Sequence, residues 1–383
     1  QSAIRNPQSA IRNPQSAIRN PQSAIRNPQW RYLALIFGVL FSFAVKAQGV
    51  VNVYNWYDFI DLSILPDFEQ ESGIKVNYQT FSSGQEILQL IEQKTPIDVA
   101  VVPHFLLQQL IRKQLLSPLE QSALQPAREN LDAFIASRVN LVGAGDYAVP
   151  YLWNIAALGF NRSSLAKVLG DDFKEDWSLL FDAAQNSKIK GCGIAVADAP
   201  VELYATLLSY SGYPGLLEKT PLNRLRRLTR KNLLALRNNL RYIDSDNYLY
   251  DLGKGDLCLA MGWSGGISRA AQMNKDVQVV LPSNDGLTLS FEALVIPSTV
   301  KNSAAAHRFI NFLSKPEISA RNVNETLYGS PLKNIKPFLK PELQDSPLLQ
   351  LTAQNKNRMQ LLSTPGIEQQ AEIDALWDAF VNQ

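Results

Sequence analysis

Residues able to hold a cation recur at widely separated points of this 383-residue chain. The first group is an aromatic–acid run, Tyr54-Asn55-Trp56-Tyr57-Asp58-Phe59. Later come Glu202 at the head of a predicted helix, Trp263 within Gly262-Trp263-Ser264-Gly265-Gly266, Glu292 beside Phe291, and Tyr328 before Gly329. Carboxylates pair with ammonium groups, and aromatic faces attract cations and cover alkyl chains. Converging on one cleft, this set would suit a small, flexible, polycationic molecule. Each member also has an ordinary structural use. Trp56 and Trp263 can fill cores, Glu202 can complement the positive end of its helix, Asp58 can form a turn or cap, and His104 beside Pro103 can be an incidental loop residue. Glu292 lies in an apolar stretch where an unpaired carboxylate is costly, so it needs a partner, either a ligand amine or a Lys or Arg.

The same residues contain a rival pattern. Gly262-Trp263-Ser264-Gly265-Gly266 satisfies G-x-S-x-G, the nucleophile elbow of α/β-hydrolases, with Asp285 and His307 following in the right order. Against it, three fixed positions arise often by chance and no His-Gly-Gly oxyanion motif precedes them. His307 also sits in an amphipathic stretch, 304–313, rather than in a loop.

The elements that would carry these side chains alternate between strand and helix. Residues 50–54 read as a strand, 62–72 as a helix ended by Gly73, and 74–81 as a strand. Ser83 with Glu86 makes a capping box ahead of the apolar face Ile87, Leu88, Ile91. The nearly continuous apolar run 97–102 marks a buried parallel strand, and a helix follows over 105–113. This βαβαβ order argues for an open parallel sheet with helices on both faces. Residues 147–161 form an extended aromatic segment around Pro150, suited to crossing between lobes. A second α/β region follows, with helices over 177–184, 201–211 and 223–238 and strands over 193–197 and 257–261. Strands over 277–281 and 293–296 flank a return crossing, and helices over 304–313 and 373–380 close the structure. Sheets of this kind bind ligands at the carboxyl ends of their strands, where Trp56 and Trp263 fall.

Bulk properties narrow the partners. Residues 1–28 are four copies of Gln-Ser-Ala-Ile-Arg-Asn-Pro, and the Pro in each unit excludes a coiled coil; residues 1–29 are read as a disordered, non-native segment. Residues 30–47 carry Arg31, an apolar run over 32–45, and small side chains at Val45 and Ala47. That is a signal peptide cleaved after about Ala47, too short for a membrane span of roughly 20 apolar residues. Residues 1–47 hold six basic and no acidic residues, which leaves 31 basic and 35 acidic side chains beyond them, a net of −4. A nucleic-acid partner therefore loses its electrostatic support, whereas a cationic small ligand gains some. Cys192 and Cys258, the sole cysteines, point to one disulfide in an oxidising compartment. Two histidines, His104 and His307, leave no case for a metal, and no nucleotide-binding glycine loop occurs, so no cofactor is expected.

Ordered segments along roughly residues 50–335 resemble one known family. They are Val53-Tyr54-Asn55-Trp56, Phe68-Glu69-Gln70-Glu71-Ser72-Gly73-Ile74-Lys75-Val76, Asp198-Ala199-Pro200-Val201-Glu202, Asn239-Leu240-Arg241-Tyr242, and Gly255-Asp256-Leu257-Cys258-Leu259-Ala260-Met261-Gly262-Trp263. The chain resembles the periplasmic substrate-binding proteins of polyamine ABC transporters, particularly the putrescine- and spermidine-binding members. The resemblance implies a two-lobed periplasmic-binding-protein fold with the ligand cleft between lobes. The lobes would be 48–151 plus about 286–322, and 152–285 plus about 323–383. It implies Trp56 and Trp263 as aromatic walls, Glu202 as an ammonium anchor, Glu292 where the family has an Asp for the other amine, and Tyr328 as a pocket-lining residue. Cys192 and Cys258 fall where putrescine-type members have a disulfide.

Several positions depart from the family pattern. Ser290 replaces an aromatic, Gly266 replaces an Asp, Tyr57 replaces a smaller Ser, and His104-Phe105 replaces a Ser-containing run. The expected function is capture of a polyamine in the periplasm by a monomer and its delivery to an ABC permease, without catalysis. A polyamine-sensing role beside a membrane signalling partner is the alternative, and a hydrolase using Ser264 a more distant one. The expected ligand-binding set is Trp56, Tyr57, Asp58, His104, Glu202, Trp263, Glu292 and Tyr328.

Overall fold

The computed structural model describes residues 49–213, 217–280, 286–346, 348–349 and 351–382. The repeat, the signal peptide with its cleavage point, and Asp285 lie outside the described residues. In the first lobe, β1 (Val50–Trp56) pairs in parallel with β2 (Lys75–Phe81) and with β3 (Val99–Pro103). The Ile64–Ser72 helix between β1 and β2 ends at Gly73 with φ of 69°, a left-handed conformation glycine adopts without a Cβ penalty. Ser83 caps the Gly84–Glu92 helix by accepting the Glu86 amide proton at 3.1 Å. The reciprocal arm of that box falls one residue early, since the Glu86 carboxylate accepts from the Ser82 amide.

The lobes are joined through strands rather than a flexible linker. β4 (Ala148–Asn161) is buried along all 14 residues. The second lobe contributes β5 (Ile194–Val196), β6 (Tyr242–Ile243), β7 (Leu259–Trp263) and β8 (Val277–Val280), before β9 (Leu287–Val295) and β10 (Met359–Leu361). The first half of β4 pairs antiparallel with β9, and its second half pairs antiparallel with β7 and β8. The ladder runs β2-β1-β3-β9-β4-β7-β5-β6, with β8 on β4 and β10 on β9. β4 therefore pairs on both sides of the crossing, and its predominantly apolar sequence follows from burial on both faces.

Separate cores fill each lobe. In the first, Val51, Ile64, Phe68 and Phe309 pack on one side of the sheet, and Ile87, Leu107, Ile135 and Phe291 on the other. In the second, Phe160, Trp177, Phe181 and Tyr204 pack with Ile373, Trp377 and Phe380 of the C-terminal Ile367–Val381 helix. Ala320, Val323, Leu332 and Leu343 pack with Leu131 in a cluster of their own. Trp153 and Gly329 exchange both backbone hydrogen bonds at 2.8 Å. A Cβ on Gly329 would lie 2.0 Å from the Trp153 ring, so only glycine permits this contact.

Two helices expected as single pieces are broken, each by a polar side chain. Asp182 separates the Ser178–Phe181 and Ala183–Ile189 helices because its carboxylate accepts the Ala184 and Gln185 amide protons at 2.8 and 3.1 Å. The expected 223–238 helix contains a π turn over Thr229–Leu233. There the Thr229 hydroxyl donates to the Leu225 carbonyl at 2.9 Å and meets the Tyr204 hydroxyl at 2.6 Å, which loosens the regular ladder. Among the described residues no helix is long and apolar enough to cross a membrane, and no cluster of His, Cys, Asp and Glu could hold a metal ion.

Cys192 and Cys258 form a disulfide with a Cα–Cα distance of 5.5 Å across 66 residues of sequence. It staples the turns that lead into β5 and β7, which are neighbours in the sheet. Replacing both cysteines by alanine should lower stability by about 4 kcal/mol on the loop-entropy account. Urea denaturation of the oxidised wild type and the double variant measures this, and coincident midpoints would rule out a stabilising role.

Candidate functional site

β1 and β7 each end in a tryptophan, Trp56 and Trp263, at the carboxyl edges of their parallel neighbours. The antiparallel register of β4 sets the rest of the row. Leu152, Asn154 and Ala156 stand opposite Glu292, Ser290 and Trp263 respectively. Residues two apart on a strand share one face, so Glu292, Ser290, Asn154 and Trp263 line a single strip that runs from one lobe to the other. Glu202 enters from the first turn of the Pro200–Tyr210 helix, where Pro200 fits because its missing N–H would be unpaired anyway.

The Trp56 indole N–H donates to Glu292 Oε2 at 2.7 Å. Burial pushes the Glu292 carboxyl up to about 8, with the Trp56 hydrogen bond pulling it down and the Glu202 charge raising it further. Burial likewise raises Glu202, against its own backbone amide and a hydrogen bond from the Trp263 side chain. Each carboxylate is thus steadied by one indole, and no Lys or Arg among the described residues acts on either. Two desolvated acids within reach of each other's charge, with no cation upon them among the described residues, are an arrangement that a cation supplied from outside could satisfy. Asn154 extends it: its Oδ1 is buried without a hydrogen-bond partner, in the strip between Glu292 and Trp263. An amide in the middle of the apolar run of β4 is the available sequence signal for Asn154, since buried polar atoms need partners.

The other expected residues divide. Tyr328 is buried at the site, stacked on Phe59 with centroids 4.4 Å apart, and its ring fills the space a side chain at Gly265 would need. Asp58 lies within electrostatic reach of Tyr328, and its Oδ2 accepts from Arg269 Nη1 at 2.9 Å. Burial raises the Asp58 carboxyl while Arg269 pulls it back. Tyr57 is 80% exposed and points away from the cluster; Phe59, two residues on, takes the lining position instead. His104 is fully buried with both ring nitrogens engaged: Nε2–H donates to the Leu362 carbonyl at 2.7 Å and Nδ1 accepts from the Phe291 amide at 3.3 Å. Burial lowers it to about 4, so the ring is a neutral strut stacked on Phe291, with no face left for a ligand.

Ser264 is buried at the start of the Ser264–Met273 helix, and its Oγ accepts from the Ile155 amide at 3.3 Å. His307 stands elsewhere, donating from Nδ1 to the Ser303 carbonyl and accepting the Glu120 amide at Nε2. The elbow pattern therefore lacks its imidazole. The glycines around Trp263 have another reason: Tyr248 packs where a Cβ of Gly262 or Gly266 would be, at 2.3 and 2.1 Å. Its hydroxyl accepts from the Trp263 amide at 3.2 Å and so fixes the tryptophan backbone.

A family model for bacterial extracellular solute-binding proteins matches residues 64–350. The putrescine-binding periplasmic protein PotF of Escherichia coli is 31% identical over 330 residues, which covers 82% of this chain and 87% of PotF. A putrescine/cadaverine-binding protein of Pseudomonas aeruginosa is 27% identical over 352 residues, covering 90% and 97% of the two chains. Among solved structures, the spermidine/putrescine ABC transporter substrate-binding protein PotD of Streptococcus pneumoniae superposes with a TM-score of 0.73 at 25% identity, covering 87% of this chain and 98% of PotD. These relatives are binding proteins rather than enzymes, and their two-lobed architecture is the one described above. The chain belongs to the bacterial extracellular solute-binding protein family.

Proposed function

We propose that this protein captures an amine of the polyamine class between its lobes, in the periplasm, and passes it to an ABC permease. The observation that carries this reading is the Glu202–Glu292 pair, each acid held by an indole and neither met by a basic side chain among the described residues. An ammonium placed there would satisfy both acids, while Trp56, Trp263 and Tyr328 would cover the attached methylenes. The Asn154 Oδ1 would accept one further N–H. Glu292 arrives on β9 with the first lobe and Glu202 with the second, so ligand binding would favour the closed arrangement by touching both. We place the first lobe at 49–152 with 288–349, and the second at 156–280 with 362–382, following the core clusters. The names of the relatives favour transport over sensing, and a monomer suffices because every proposed contact lies within one chain.

Three outcomes are expected. Glu202→Gln and Glu292→Gln keep shape but remove charge, and each should weaken amine binding by roughly 30-fold or more when calorimetry is done above pH 8; wild-type affinity in both variants would end the assignment. The second outcome concerns protons. A carboxyl raised from 4.5 to about 8 in the folded state holds a proton that the unfolded chain has already lost. Its contribution to stability is full below 4.5 and disappears as pH rises through about 8. The unliganded protein should therefore lose thermal stability across that window, and amine binding should release protons and tighten with rising pH. Glu292→Gln should flatten both trends, which melting curves and calorimetry in buffers of different ionisation enthalpy would read. The third outcome separates binding from hydrolysis: Ser264→Ala should hold affinity within a few-fold, and a serine-reactive phosphonate should leave Ser264 unlabelled.

A further inference from the structure

Arg269 is a guanidinium placed in the interlobe cleft. It projects from the Ser264–Met273 helix of the second lobe to Asp58, which follows β1 of the first. The pair spans 211 residues of sequence and joins Nη1 to Oδ2 at 2.9 Å, with Arg269 29% and Asp58 37% exposed at the side chain. Tyr328 lies within electrostatic reach of both this pair and Glu292. Tyr248 packs beside the same end and fills the space next to Gly266, which leaves no room there for a further acid.

The two ends therefore differ in kind. Glu202 and Glu292 lie within reach of each other's charge, with no cation among the described residues on them. Asp58 already has its cation. An ammonium arriving at Asp58 would have to displace the guanidinium or sit beside it, against like-charge repulsion in a partly desolvated place. Resting on the amine-binding reading above, we infer that Arg269 stands in for a second ligand ammonium, and that the cleft selects a linear amine charged at one end only. The charged head would lie between Glu202 and Glu292. The uncharged far end, an acylated nitrogen or a plain alkyl terminus, would lie against Tyr328 and Phe59 beside the Asp58–Arg269 pair.

The test compares 1,4-diaminobutane with its mono-N-acetyl derivative and with butylamine, by calorimetry on wild type and on Arg269→Gln. The wild type should bind the mono-acetyl compound at least as tightly as the diamine. Arg269→Gln frees Asp58 and should move the ratio of the two affinities about tenfold or more toward the diamine. A wild type that prefers the diamine tenfold would overturn the inference while leaving the amine cleft standing. So would a ratio unchanged by Arg269→Gln. Failure of the wild type to bind any of the three amines would overturn the amine cleft itself, and this inference with it. Should Arg269→Gln fold poorly, the wild-type ratio alone decides.

Discussion

A carboxylate taken out of water must be repaid by a partner, and among the described residues Glu292 receives only the Trp56 indole N–H. Glu202 lies within reach of its charge under the same condition, with Trp263 as its indole. Neither acid gains from the position in the absence of a cation. Burial acts against the charged form of each, and the Glu202 charge acts further against that of Glu292. An ammonium bound as proposed above would relieve both lobes at once and so favour their closure.

Holding two acids in such a place requires stiff support, and the crossing strands provide it. β4 pairs on both sides of the crossing, so the opposed positions of Glu292, Ser290 and Trp263 along it are set by backbone hydrogen bonds. His104 reinforces the same strip from behind: it receives the Phe291 amide and donates to the Leu362 carbonyl, linking β9 to the chain that leads toward the C-terminal helix. Its neutrality follows from complete burial, and a charged imidazole there would leave one backbone partner facing a proton. Tyr248 does the corresponding work for Trp263, with glycines at 262 and 266 because the phenol ring occupies their side-chain space.

The departures from the family pattern become intelligible as packing. Gly266 cannot carry an acid because Tyr248 fills its surroundings. Tyr57 tolerates its bulk because it points to solvent. Ser290 stands opposite Asn154, and together they make a small polar floor. The G-x-S-x-G match has a local explanation as well: Ser264 accepts the Ile155 amide, and its glycines make way for Tyr248 and Tyr328.

Much of the fold was legible in residue order. The apolar run of β3, the left-handed Gly73 and the Ser83 cap are local signals, and local signals suffice for elements whose stability is decided within a few residues. The ordered segments around Trp56, Glu202 and Trp263 were equally legible as a resemblance, which carried the two-lobed architecture and the core of the candidate site. The breaks at Asp182 and Thr229 were not visible, because the side-chain oxygens that make them compete with helix hydrogen bonds only when the surrounding packing favours it. Nor could sequence separate the lining role of Phe59 from the exposure of Tyr57, or the buried strut His104 from a ligand-facing loop histidine. Above all, the contacts that decide the chemistry join residues 236 positions apart, as in Trp56 and Glu292, or 211 apart, as in Asp58 and Arg269. Such contacts are set by strand register and lobe packing, which residue types alone do not specify; the sequence determined which side chains were present, and only the tertiary structure decided which acid was left without a cation.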